Sequence, residues 1–193
     1  MKTTRRYTMT ARAEAVERTR ARILEAAMTL AESRMVSQIS LDDIAAGSGV
    51  SVQTLLRHFG NRAGLIEAVR QHALGVVAEE RRTPVGDVDA AVRAVLRHYE
   101  RRGDGVLLML AQEHVDPATR AVTDIGRAFH RSWVEEVFDP LLPEPVAERE
   151  VMVDLLAVAT DVYTWKLLRR DRGLSPAATE HRVGALVSAL LDA

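Results

Sequence analysis

The segment from Val52 to His58 carries side chains that could hydrogen-bond to a nucleic acid. Gln53 can make two hydrogen bonds to the edge of adenine, and Arg57 can make two to the edge of guanine. Thr54 lies between them, and a hydroxyl group is a suitable partner for a phosphate oxygen. If these residues share an exposed helix, their spacing predicts a surface that contacts both bases and backbone.

Two short helices would have to position these side chains. Ser40 and Asp43 predict the start of one helix, because a hydroxyl followed three residues later by a carboxylate can cap exposed amides. The glycines at 47 and 49 predict a tight turn, Ser51 predicts the next helix start, and Gly60 its end. This pattern is typical of a helix-turn-helix, whose second helix reads base edges from its N-terminal part. The apolar residues expected to brace that helix are Ile44, Ala45, Val50, Leu55 and Phe59.

Several motifs between residues 18 and 70 occur in a fixed order. They are Arg22-Ile23-Leu24-Glu25-Ala26-Ala27, Ser40-Leu41-Asp42-Asp43-Ile44-Ala45, Gly49-Val50-Ser51, Thr54-Leu55, His58-Phe59 and Asn61-Arg62. Together they resemble the DNA-binding domain of the tetracycline-repressor (TetR) family. The resemblance covers roughly a quarter of the chain, and the expected all-helical remainder agrees with it.

The resemblance implies a role for each matching position. The base-facing positions are Val52, Gln53 and Arg57, and the expected contacts to the DNA backbone are Ser40, Thr54, His58 and Arg62. Ser51 is a further candidate from its chemistry, because a hydroxyl at a helix N-terminus suits a phosphate oxygen. Two residues depart from the family pattern. Leu56 replaces the usual Tyr and cannot donate a hydroxyl to phosphate. Arg34 replaces the usual Gly and would be strained in a left-handed conformation, so we expect a different turn there.

Composition limits the classes of protein that remain. The chain has 193 residues, of which 47% are hydrophobic and 4% aromatic, a mixture that favours helices. It has no cysteine, which excludes disulfides and thiolate nucleophiles. Residues 1–22 hold 7 Lys and Arg against 2 Asp and Glu, which favours an anionic partner for the N-terminal part. We found no secretory signal or membrane span, so we expect a cytoplasmic protein without membrane contact.

The sequence predicts an all-α protein, with an N-terminal three-helix DNA-binding domain followed by a larger helical ligand-binding and dimerisation domain. The expected boundaries are a flexible basic arm at 1–12, the helix-turn-helix domain at 13–62, a connecting helix at 63–80 and the regulatory domain at 81–193. Within the last domain, Gly, Pro and capping residues predict helices at 88–101, 105–113, 117–138, 146–172 and 176–191.

The two last predicted helices could form a homodimer interface. From Val151 to Leu168, 13 of 18 residues are apolar, too many for one face of a surface helix. The final helix repeats the pattern with Val183, Leu186, Val187 and Leu190. Packing into the domain core is the alternative explanation for both helices. A dimer would let two recognition helices about 34–36 Å apart read a pseudo-palindromic operator.

The resemblance also implies a small-molecule site in the larger domain. The candidate lining residues are bulky and partly polar: His98, Met109, Phe129, Trp133, Tyr163 and Trp165. Such a lining suits a small, largely apolar organic ligand. The alternative is a DNA-binding dimer without an effector. An enzyme is disfavoured because we found no catalytic motif, and no cofactor is expected. His114 and Asp116 are too few ligands to predict a metal site.

Overall fold

The computed structural model describes residues 3–193, and side chains from Arg12 onwards. Over these residues the chain is helical and contains no strand. It divides into two compact units, Met1–Gly75 and Val76–Ala193. The division falls inside the helix that was predicted to connect two domains. No helix among the described residues is long and apolar enough to cross a membrane.

The helices alternate with short turns. The first unit contains α1 (Thr3–Ala31), α2 (Leu41–Ser48), α3 (Val52–Phe59) and most of α4 (Arg62–Glu80). The second unit contains the end of α4 and five further helices: α5 (Val88–Gln112), α6 (Pro117–Val137), α7 (Val146–Ala159), α8 (Val162–Lys166) and α9 (Pro176–Leu191). Single 3-10 turns lie at Val36–Gln38 and Asp139–Leu141, and a π-helical turn follows α8 at Leu167–Asp171.

Helix α1 begins earlier than the sequence suggested. The segment 1–12 was predicted to be a flexible basic arm, but the chain is helical from Thr3 onwards. Residues 1 and 2 lie outside the described residues. The segment 3–31 contains no Gly or Pro, so nothing in it interrupts a helix once one has formed.

Helix α5 is continuous where two helices were predicted. Gly103 and Gly105 were interpreted as a break, but both are buried inside the helix Val88–Gln112. Gly103 is there because a side chain from another helix needs the space. A Cβ at this position would lie 2.5 Å from Cζ3 of Trp165. This glycine permits close packing of two helices and does not end either of them.

The long helix predicted at 146–172 is interrupted after Ala159. The Thr160 hydroxyl donates to the Leu156 carbonyl at 2.7 Å, and the Asp161 carboxylate accepts from the Tyr163 amide at 2.8 Å. Asp161 therefore acts as the N-cap of a new helix, α8. The starts of α6 and α9 were predicted correctly: the side chains of Asp116 and Ser175 cap them, and proline follows each.

Each unit has its own hydrophobic core. In the first, the shared core consists of Ile23, Leu24, Ala27, Ile39, Ile44, Leu55, Leu65 and Ala68. In the second, Val183 and Val187 of α9 are buried, which agrees with the alternative that this helix packs into the core. Leu186 of the same helix is exposed. A stripe on α7 is exposed as well, made of Val151, Leu155 and Val158.

Candidate nucleic-acid interface

Helix α2 is fixed at its N-terminus by a reciprocal capping box. The Ser40 hydroxyl accepts from the Asp43 amide at 3.0 Å, and the Asp43 carboxylate accepts from the Ser40 amide at 2.9 Å. The Ser40 hydroxyl also donates to that carboxylate at 2.6 Å. These hydrogen bonds, joined by one from Arg34 at 3.1 Å, hold the pKa of Asp43 below its usual value. The predicted cap is confirmed.

The turn between α2 and α3 depends on a left-handed residue. Gly49 has φ of 67°, a conformation that costs glycine little, and its amide donates back to carbonyls of α2. Ser51 then caps α3, accepting from the Thr54 amide at 3.1 Å. Arg34 does not take a left-handed conformation, since every positive φ among the described residues belongs to glycine. The expectation of a different turn at this position is therefore confirmed.

Helix α3 has a buried side and an exposed side. Leu55 is completely buried in the first core, whereas Gln53 and Arg57 are exposed. These two residues are four positions apart, so they lie on the same face one turn from each other. Val52 is half-buried at the start of the helix, as is Leu56 nearer its end. The face that was predicted to read bases thus presents its two strongest hydrogen-bonding side chains to solvent.

Several predicted phosphate contacts also have partners within the protein. The Ser40 hydroxyl is engaged with Asp43, and the Ser51 hydroxyl donates to Thr54 Oγ1 at 3.0 Å. The Thr54 hydroxyl accepts this bond and keeps its own O–H as a donor. Arg62 donates from Nη1 to the Ile39 carbonyl at 2.8 Å, yet remains exposed. Their contacts to DNA stay predictions.

A cationic groove lies between α1 and α3. The residues of α1 that line it were not among the site residues predicted from the sequence. Its volume is about 390 Å³, and we call it the Arg57 groove. Its lining residues are Arg12, Ala15, Val16, Thr19, Arg22, Gly49, Val50, Thr54, Arg57 and His58. This lining contains three arginines and no carboxylate, a composition that attracts an anion. The excess of basic residues over 1–22 was the one signal for Arg12 and Arg22 in our sequence analysis.

The candidate ligand residues of the second unit differ in burial and in their neighbours. Phe129 and Trp133 both lie against the guanidinium of Arg81, which had no signal in the sequence. His98 is buried and hydrogen-bonds to Glu80 at 2.7 Å. Trp165 is completely buried against α5, Met109 is half-buried, and Tyr163 is exposed. Among the described residues, no cluster of His, Asp or Glu is arranged to hold a metal ion.

Two solved structures share the fold. One is a tetR-family transcriptional regulator from Streptomyces coelicolor, with a TM-score of 0.65 and 24% identity over 90% of this chain and 80% of that one. The other is a putative TetR-family transcriptional regulator from a Rhodococcus species, with a TM-score of 0.62 and 17% identity over 90% of this chain and 99% of that one. At these identities the likeness shows the fold alone.

Sequence comparisons show which proteins parts of this chain are similar to. The HTH-type transcriptional repressor LfrR of Mycolicibacterium smegmatis is 38% identical over 115 residues, which cover 57% of this chain. The matched part spans 60% of that relative's length. Residues 23–69, which include α2 and α3, match the N-terminal domain of the bacterial regulatory proteins of the tetR family. The family match is thus limited to residues 23–69, and over these residues the chain is similar to bacterial regulatory proteins of the tetR family.

Proposed function

We propose that this protein is a sequence-specific DNA-binding transcriptional regulator and acts as a repressor. The observation that carries the proposal is the exposed pair Gln53 and Arg57 on α3, beside the Arg57 groove. The exposed pair supplies base readout, and the groove supplies cations for the phosphate backbone. The name of the LfrR relative, a transcriptional repressor, supports the same function.

One recognition helix contacts too few base pairs to select a single operator. Binding as a homodimer supplies a second recognition helix and so increases the sequence selectivity. The exposed stripe on α7, together with Leu186 on α9, offers an apolar surface that a second copy of the chain could cover. Two copies would present two α3 helices to successive major grooves, so the target is a pseudo-palindromic operator. Leu155→Asp should dissociate the dimer by burying a charge, and sedimentation velocity would detect the monomer.

Release from the operator would follow the binding of a small, largely apolar organic molecule in the second unit. The ligand must bind the released state more tightly than the DNA-bound state. A coupling of about 1–3 kcal/mol is usual for such switches. A dimer whose second unit serves only assembly is the competing function, and a ligand that raises the melting temperature would argue against it.

The decisive experiment is selection of genomic fragments by the purified protein. We expect a shared inverted repeat, with binding that weakens steeply as salt rises. Gln53→Ala and Arg57→Ala should each weaken enrichment of the repeat and relax its sequence at one position in each half-site. A matched control is Arg93→Ala, which changes an exposed arginine of the second unit. Fragments without a common sequence, or equal enrichment by all variants, would contradict the proposal.

A further inference from the structure

Arg81 is a buried cation surrounded by aromatic rings. It follows α4 directly, and only 5% of its surface is exposed. Its Cζ lies 5.1 Å from the ring centre of Tyr99 and 5.8 Å from those of Phe129 and Trp133. We call these four residues and His130 the Arg81 cluster.

The guanidinium of Arg81 hydrogen-bonds to an uncharged ring, and the hydroxyl of Tyr99 is a second polar group beside it. Nη1 of Arg81 lies 3.0 Å from Nδ1 of His130, whose Nε2 lies 3.1 Å from the Ala157 carbonyl. Burial, and then the charge of Arg81, lowers the pKa of His130 to about 4, so the ring is neutral at pH 7. Nε2 therefore carries the proton and donates it to Ala157, while Nδ1 accepts from Arg81.

No carboxylate is paired directly with the guanidinium of Arg81 in the part of the chain that the structure describes. Among the described residues it forms no ion pair, and its buried Nε has no hydrogen-bond partner. The adjacent carboxylate, Glu80, is engaged elsewhere, accepting from Arg102 at 3.1 Å and contacting His98 at 2.7 Å. A guanidinium stays protonated in a protein. Its burial without a counter-ion is costly, and aromatic rings compensate only part of that cost.

We infer that the Arg81 cluster binds the carboxylate of a small organic acid whose remaining body is apolar. The unpartnered Nε donates to the carboxylate, and the faces of Phe129 and Trp133 contact the apolar body. Phe129 is only half-buried, so this wall of the cluster reaches the surface. The inference rests on the proposed function, since the acid would be the effector that binds the second unit. It goes further by stating that this effector carries a negative charge. A single negative charge on the ligand matches the single positive charge of Arg81.

Binding to the full-length protein tests this site without reference to DNA. The probes are benzoate and octanoate, each compared with its neutral amide, benzamide or octanamide. The readouts are melting temperature and tryptophan fluorescence, because one of the two tryptophans of the chain is Trp133. We expect at least one acid to bind about tenfold or more tightly than its amide, since a charge-assisted hydrogen bond would be lost.

Variants and competing ions locate the site. Arg81→Gln should remove the preference for the acid, whereas Arg82→Gln, at the exposed neighbouring arginine, should keep it. If Arg81→Gln does not fold, the ratio of acid to amide affinity in the native protein tests the inference by itself. Equal binding of acids and amides, or a preference retained in Arg81→Gln, would overturn the inference. Displacement of the acid by equimolar inorganic phosphate would also overturn the carboxylate assignment.

The same preparation is assayed for DNA retardation without any acid present. Loss of retardation would count against the proposed function, whereas equal affinity for acids and amides would count only against this site. The two failures are therefore distinguishable.

Discussion

Gly103 of α5 lies directly beneath the indole ring of Trp165. A Cβ built on this glycine would be 2.5 Å from Cζ3 of the indole and 2.6 Å from Cη2. The ring is completely buried, and its Nε1 donates to Glu100 at 2.9 Å, which fixes it from the same helix. The ring therefore has little room to move, and the glycine is a requirement of packing.

Gly103→Ala should destabilise the protein by about 1–3 kcal/mol, the usual cost of overpacking a core. This loss should exceed the gain of up to about 1 kcal/mol that alanine brings to a helix. Urea unfolding followed by tryptophan fluorescence measures the difference. Gly126→Ala is the matched control, since it is also within a helix and a Cβ there has nothing within 4 Å. Equal stability of the two variants would show that Trp165 can move aside.

Ser40→Ala should destabilise α2 by about 1 kcal/mol, because the helix loses its N-cap. Hydrogen exchange of the α2 amides should therefore accelerate about five-fold. Ser40→Asn should restore protection, since asparagine caps as well as serine. If Ser40→Ala exchanged like the native protein, the capping box would contribute nothing to the stability of this helix.

Arg57→Ala should cost about 1–3 kcal/mol on the cognate operator and reduce discrimination at one base pair. Binding to operators with single substitutions would measure both effects. An equal loss on every sequence would show that Arg57 contacts only the backbone.

Arg12→Ala, at the far side of the Arg57 groove, should instead weaken binding to all sequences alike. It should also lower the slope of log affinity against log salt by about one, as expected for the loss of a phosphate contact. Arg62→Ala should do the same if this residue contacts phosphate. An unchanged slope would remove the substituted arginine from the phosphate contacts.

Acidification should destabilise the second unit. Burial, followed by the charge of Arg81, lowers the pKa of His98 to about 4. The same value for His130 means that both rings are neutral in the folded state at pH 7. Between an unfolded pKa of about 6.5 and this folded value, the unfolded chain binds more protons, so stability falls as pH falls. His98 alone would account for about 3 kcal/mol by pH 4.

The Glu80 carboxyl also lowers the stability of the folded protein as the pH falls. Burial tends to raise the pKa of its carboxyl, but hydrogen bonds from Arg102 and His98 outweigh this and hold the pKa below the usual value. Urea unfolding at pH 7, 6 and 5, followed by tryptophan fluorescence, measures the dependence. His98→Gln should reduce the slope by roughly one proton. A native protein whose stability did not change over this range would contradict the prediction.

The sequence determined the features that depend on neighbours along the chain. The cap at Ser40 and the helix starts at 117 and 176 were predicted because a capping side chain needs only an amide two or three residues away. The turn at Gly49 was predicted because its conformation is a property of that residue.

Tertiary structure decided what neighbouring residues could not. Gly103 was interpreted as a helix end because glycine is typical of such positions. It lies inside α5 because the indole ring of Trp165 packs against it, and the sequence does not show this contact. Arg81 resembles any arginine at the end of a helix. Its burial results from rings contributed by α5 and α6, which are brought to it by folding. The hydrogen bond of a cap is made within one helical turn. The close packing at Gly103 and the burial of Arg81 depend instead on residues distant in the sequence.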